Sequence, residues 1–249
     1  MSANSFSLEG KTVLVTGASS GIGKATAIAC AAYGAQVVIT GRNQERLNET
    51  LLLLNGDGHI AIVAELCEQE EINRLVEAMP ELDGVFFCAG VSDTTPVKYM
   101  NSEAIQRVLS TNLEAPMLLT QRLLLKKKIK KGASLVYMSS MGVEQVAPGL
   151  GIYAASKSGL NAFMRAVATE QASRKVRANA VMAGMVKTEL IDSLSQLTEE
   201  DIKRDEAKYP LGYGKPEDVA NAVIYLLSDA SRWMTGMTLK LDGGANLNL

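Results

Sequence analysis

Residues 12–23 read TVLVTGASSGIG: an apolar strand candidate, three glycines within seven residues, then the helix-forming Lys24-Ala25-Thr26-Ala27. Glycine allows turns and close approaches that a Cβ forbids. A helix that starts directly after such a turn presents free N–H groups and the positive end of its dipole, and together these hold a phosphate. Strand, glycine turn and helix in that order also open a βαβ unit, which commits the chain to an α/β architecture. Gly17, Ser19, Ser20, Gly21, Ile22 and Gly23 are therefore candidate residues for binding a dinucleotide pyrophosphate.

The rest of the chain repeats the pattern. Short Val- and Ile-rich runs at 12–16, 36–40, 60–64, 84–88, 134–139, 177–182 and 238–241 are continuously apolar. That is the mark of parallel strands buried on both faces. Helix candidates lie between them at 23–33, 44–54, 69–78, 102–131, 153–173 and 216–228. The expectation is one doubly wound domain spanning 1–249, a seven-stranded parallel sheet with helices on both faces. The irregular stretch 185–214, with a small amphipathic helix expected at 188–197, is the candidate substrate lid.

The second strand ends Val38-Ile39-Thr40-Gly41-Arg42-Asn43. A dinucleotide site that accepts a free 2′-hydroxyl usually carries an acid at the place of Gly41. Here there is none, and the guanidinium of Arg42 follows, with a planar fork suited to a phosphate. This predicts NADP(H), with Ser19 and Asn43 as further phosphate donors.

Tyr153 and Lys157 stand four apart on a helix candidate and share a face. A free phenol, with a pKa near 10, exchanges protons poorly at neutral pH; a nearby ammonium, helped by an oxidised nicotinamide, favours the phenolate. Ser140 closes an apolar strand thirteen residues before Tyr153, at the carboxyl end where open α/β sheets build their sites. Ser139 competes with it, since alternation lets only one of the pair face the pocket. Spacing to Tyr153 favours Ser140.

With these motifs together, the chain resembles the short-chain dehydrogenase/reductase family, in its single-domain Rossmann-like branch with TGxxxGxG and YxxxK motifs. The likeness runs through Cys88-Ala89-Gly90, Asn112, Ala183-Gly184-Met185-Val186-Lys187-Thr188 and Leu241-Asp242-Gly243-Gly244. It implies that Ser140 holds the substrate oxygen and Tyr153 exchanges its proton. Lys157 binds the nicotinamide ribose and tunes Tyr153, while Asn112 kinks a long helix and serves a proton relay. It places Ala89 and Gly90 on the adenosine side and Gly184, Val186 and Thr188 by the nicotinamide. Three departures surround the cofactor: Cys88 for Asn, Ala183 for Pro, and Glu65-Leu66 for the Asp-Val that meets the adenine. The implied chemistry is hydride transfer between a nicotinamide and a carbonyl or alcohol, of the 3-oxoacyl-thioester, sugar, polyol or small-ketone kind. A non-catalytic NADP-binding sensor or scaffold is the alternative, disfavoured by the intact Ser140, Tyr153 and Lys157.

Composition narrows the field. His59 is the only histidine, which excludes a multi-histidine zinc site. No metal is expected. A net charge of −2 points to neither nucleic acid nor an anionic membrane. Three scattered cysteines, no apolar run of membrane-spanning length and no signal-like segment in 1–10 fit a cytoplasmic protein. The run Lys126-Lys127-Lys128-Ile129-Lys130-Lys131 reads as cations at a helix end, or as a docking patch for an acyl carrier protein. The resemblance also implies a homotetramer or dimer.

Overall fold

The computed structural model describes residues 4–189 and 198–247. Seven parallel strands run in the order β3-β2-β1-β4-β5-β6-β7. They are β1 (Thr12–Thr16), β2 (Gln36–Gly41), β3 (Ile60–Val63), β4 (Leu82–Phe87), β5 (Ile129–Ser140), β6 (Arg177–Ala183) and β7 (Thr238–Leu241). The order reverses between β1 and β4, and such a switch point leaves a crevice beyond the strands' carboxyl ends.

The helices are α1 (Gly21–Ala32), α2 (Gln44–Leu51), α3 (Gln69–Ala78), α4 (Ser102–Leu109), α5 (Ala115–Leu125), α6 (Gly151–Glu170), α7 (Glu199–Glu206) and α8 (Pro216–Leu227). Period-two alternation sends neighbouring strand residues to opposite cores. On β5, Leu135 and Tyr137 pack with α3, α5 and α6, whereas Val136 and Met138 pack with α1 and α8. Both faces are covered, which is why the strands read as continuous apolar runs. Tyr137 anchors the first layer, stacked on Phe87 at 4.5 Å between ring centroids and hydrogen-bonded to Thr120 at 3.0 Å.

One expected element is corrected. The segment 102–131 is not a single helix. It breaks into α4, a π turn over Ser110–Glu114, and α5, and it ends at Leu125. In the π turn the Ala115 N–H reaches back five residues to the Ser110 carbonyl. The break turns Asn112 inward, where it is 1% exposed. The end comes where Lys127 adopts φ 55°, and Ile129 then opens β5 beside Leu82. The basic run is therefore a turn and a strand start, not only a helix end. Lys126, Lys128 and Lys130 are already engaged by Glu77, the Met79 carbonyl and Asp83.

Of the lid segment, 190–197 lies outside the described residues, and with it most of the helix expected at 188–197. The flanking chain is tied down. Lys187 pairs with Glu206 at 2.8 Å, Tyr213 donates to Asp205 at 2.6 Å, and Val186 bridges Gly214. Among the described residues no helix is long and apolar enough to cross a membrane, and no cluster of acidic, His or Cys residues suits a metal.

Candidate active site

A cavity of about 420 Å³ opens at the carboxyl ends of the central strands. That is room for a cofactor-sized ligand. The glycine turn forms its floor. Gly17 sits at φ +65°, and a Cβ there would stand 2.9 Å from the Ala89 backbone. A Cβ on Gly23 would stand 2.2 Å from the Gly17 carbonyl, so α1 could not pack against the turn. Ser20 precedes α1 without capping it by its side chain, and the first turn holds no acid. The amides of Gly21, Ile22 and Gly23 therefore face the cavity with their dipole uncompensated, a cradle matched to a pyrophosphate.

The departures at Cys88 and Ala183 are absorbed locally. The Thr16 hydroxyl accepts from the Cys88 and Ala89 amides at 3.0 and 3.1 Å, stitching β1 to the end of β4 without an Asn side chain. Ala183 keeps its place in the sheet, paired with Ser140 on one side and Leu241 on the other.

At the end expected to face the adenosine, Gly41 lines the cavity without a side chain, and a Cβ there would make ordinary contact with Ser19 and Leu47 at 3.5 and 3.6 Å. Arg42 lines the cavity but pairs with Glu65 at 3.4 Å. Leu66, Ala89, Gly90 and Thr188 line it as expected. Three expected cofactor residues do not. Asn43 spends its side-chain oxygen capping α2, accepting from the Arg46 amide at 3.0 Å. Gly184 faces Tyr209 and Asp242, where a Cβ would meet ring and backbone at 3.0 and 3.2 Å. Val186 is buried in the core layer of α1 and α8. Gly41, Ala64, Val91, Thr111, Met138 and Glu189 join the wall without having been singled out for the cofactor. Val91 sits on a loop and Thr111 in the π turn, where no periodicity marks them.

The other end of the cavity gathers the groups expected to react. Tyr153 and Lys157 rise from α6 on one face, and both line the cavity. The Lys157 ammonium lies 5.8 Å from the centre of the Tyr153 ring and donates to the Met138 carbonyl at 2.8 Å. Ser140, not Ser139, faces Tyr153. Its hydroxyl oxygen accepts from the Gly142 amide at 3.1 Å, and the Tyr153 ring lies against the same glycine. Having one acceptor position filled leaves the Ser140 proton free to donate. Ser139 is 1% exposed, and its hydroxyl has no partner among the described residues.

Asn112 does not line the cavity; it builds it. Its side chain clamps Val91, accepting from the amide and donating to the carbonyl, both at 2.8 Å, and also donates to Ser156 at 3.2 Å. Ser156 in turn donates to the Tyr153 carbonyl at 2.7 Å. Ser156 carries no sequence signal beyond lying inside the YxxxK spacing, yet it links the π turn to the first turn of α6.

Burial pushes the Tyr153 phenol above its usual value, and the Ser140 hydroxyl only draws it part of the way back. Burial lowers Lys157 from 10.5 to about 8. By itself the chain thus keeps Tyr153 protonated, the state of a general acid; the phenolate expected above is that of a site holding an oxidised nicotinamide. Cys88, at the cavity wall beside Lys157, is raised by burial to about 12 and stays a neutral thiol.

Comparison with known proteins agrees with this geometry. The family model described as Enoyl-(Acyl carrier protein) reductase matches residues 17–246. The chain is 36% identical to the 3-oxoacyl-(acyl-carrier-protein) reductase FabG of Rickettsia felis, over 95% of this chain and 97% of that protein. It is 32% identical to the FabG of Thermotoga maritima, over 95% and 98% respectively. Among solved structures, it is similar to a short-chain type dehydrogenase/reductase from Mycobacterium ulcerans, with TM-score 0.88 and 31% identity over 96% of this chain and 90% of that one.

Proposed function

The chain belongs to the short-chain dehydrogenase/reductase family and is an oxidoreductase, and from that premise we propose that it reduces the carbonyl of a 3-oxoacyl thioester with NADPH. The observation that carries this reading is the pairing of Tyr153 and Lys157 on the wall of a dinucleotide-sized cavity, with Ser140 beside Tyr153 at Gly142. NADPH, when bound, supplies the hydride. Ser140 and Tyr153 hydrogen-bond the substrate oxygen and polarise its carbonyl, and Tyr153 gives that oxygen its proton. Lys157 holds the nicotinamide ribose and, with the Asn112 region behind it, returns a proton toward Tyr153. One domain over 1–249 carries both binding and catalysis, with 185–214 as the lid over the substrate.

The Ser pair tests the geometry. Ser140→Ala is expected to lower kcat/KM by about a hundredfold through loss of one polarising donor. Ser139→Ala is expected to leave it within about twofold, because its hydroxyl has no partner to lose. Equal losses from both variants would refute the assignment.

NADPH is favoured by the absence of an acid at Gly41 and by Arg42 on the cavity wall. Arg42→Ala is expected to cut the NADPH-over-NADH ratio of kcat/KM by about tenfold, one charge-assisted bond to the 2′-phosphate. An unchanged ratio would remove NADPH from the proposal.

The carrier-protein reading rests on the relatives' names, and the basic run does not serve it. Lys126–131 lie at the opposite end of β5 from Ser140, roughly 30 Å away along a strand of this length. A carrier protein delivering a thioester would dock beside the cavity mouth instead. A cytoplasmic homotetramer or dimer completes the reading, and light scattering giving a monomer would refute the assembly. The substrate test is NADPH oxidation with 3-oxoacyl thioesters against sugar and small-ketone carbonyls. Turnover of the latter alone would replace the thioester. Cofactor binding with no turnover of any would favour a sensor.

A further inference from the structure

We propose that Glu65 sets how strongly the chain distinguishes NADPH from NADH, by competing with the 2′-phosphate for Arg42. This rests on the NADPH reading of the proposed function and adds a determinant that the reading does not contain.

Glu65 lies two residues beyond the end of β3 and stands on the cavity wall. Its carboxylate is anchored from two sides. Oε1 accepts from the Cys67 amide at 3.2 Å, and Oε2 lies 3.4 Å from Arg42 Nη1. Arg42 is the looser partner. Its side chain is 70% exposed, and among the described residues it has no other hydrogen bond or ion pair. The acid is therefore fixed, and the guanidinium is the member free to swing.

This arrangement restores at one remove what Gly41 takes away. With no side chain at 41, no carboxylate meets a 2′-phosphate head-on. Glu65 instead reaches across from the neighbouring strand and holds the cation that the phosphate needs. A second pair sits at the same rim, Arg46 with the cavity-lining Glu189 at 2.9 Å. Two guanidiniums and two carboxylates leave the rim close to neutral. An incoming phosphate must then draw Arg42 off Glu65 before it gains a full charge-assisted contact. NADH makes no such demand. The result is a narrower preference for NADPH than Arg42 alone would give.

The test is fluorescence titration of NADPH and NADH into the full chain, comparing wild type, Glu65→Gln, Arg42→Ala and the double variant. Gln keeps the shape and the oxygen that accepts from Cys67 while removing the charge. Glu65→Gln is expected to tighten NADPH about three- to fivefold, the scale of one exposed ion pair, and to leave NADH within about twofold. NADPH binding should also become steeper in salt, since Arg42 is then unpaired. In the Arg42→Ala background the gain should fall below about twofold. Equal changes in both dinucleotides would mean a contact to a part they share, and would overturn the proposal; so would unchanged or weaker NADPH binding. If Arg42→Ala lowers the NADPH preference while Glu65→Gln does not raise it, only the role of Glu65 falls. If Arg42→Ala changes nothing, the NADPH reading falls with it.

Discussion

Tyr153→Phe is expected to lower kcat for carbonyl reduction about a thousandfold, the scale of one positioned general acid, while NADPH binding stays within about twofold. The phenol alone stands within reach of Ser140 and beside Lys157 on the cavity wall, so no neighbour can take over its proton. Lys157 is the nearest other acid, but its ammonium is held on the Met138 carbonyl, and the Cys88 thiol, raised to about 12, is a poor donor. The loss should appear in kcat and kcat/KM alike, because the interaction belongs to the transition state and not to ground-state binding. Direction matters as well. Burial holds Tyr153 above its ordinary value, so it remains an acid through the neutral range. Alcohol oxidation, which needs the phenolate, should rise with pH across that range in the wild type and stay flat in the residual activity of Tyr153→Phe. Stopped-flow rates in both directions check this. A loss of tenfold or less would move the proton-transfer role elsewhere.

The parts of this site that were legible in the sequence share a physical property: each is a local pattern. The glycine turn shows because close backbone approach at Gly17 and Gly23 admits no other residue. Tyr153 and Lys157 show because helical spacing places them on one face. The strands show because burial on both sides removes polar residues from whole runs. What stayed hidden depends on contacts between distant segments. The π turn at Ser110–Glu114 has no composition of its own. It exists because Asn112 is pulled inward to Val91, 21 residues away in sequence. The basic run misled because lysines favour both helix ends and strand edges, and only the pairing of Ile129 with Leu82 decides. Asn43 looked like a phosphate ligand, yet the same chemistry suits a helix cap, and the cap is where it sits. The Ser139/Ser140 choice needed only strand alternation and one anchor. Glu65 was visible as a departure, but its partner Arg42 came into view only when β2 and β3 lay side by side.

Lys157→Met should abolish turnover and yet stabilise the cofactor-free protein at neutral pH. Lys157 is 3% exposed, and burial lowers its pKa from 10.5 to about 8. A group that holds its proton less tightly when folded than when unfolded costs stability wherever the unfolded chain would keep it charged. The cost is full below about pH 8 and fades as pH climbs toward 10.5, where the unfolded lysine also discharges. Over that span it amounts to about 3 kcal/mol. The ammonium's bond to the Met138 carbonyl offsets part of this, and losing it costs about 1 kcal/mol. A methionine of similar length, in a pocket already lined by Met138, should therefore leave a net gain of about 2 kcal/mol at pH 7. Denaturant unfolding of the cofactor-free protein at pH 7 and at pH 10.5 measures it, with the difference between variant and wild type expected to shrink at the higher pH. Lower stability at pH 7, or a difference independent of pH, would mean that Lys157 is charged at no cost. The strain of keeping an ammonium in a dry pocket would then not be what this site sacrifices for the group proposed to hold the nicotinamide ribose.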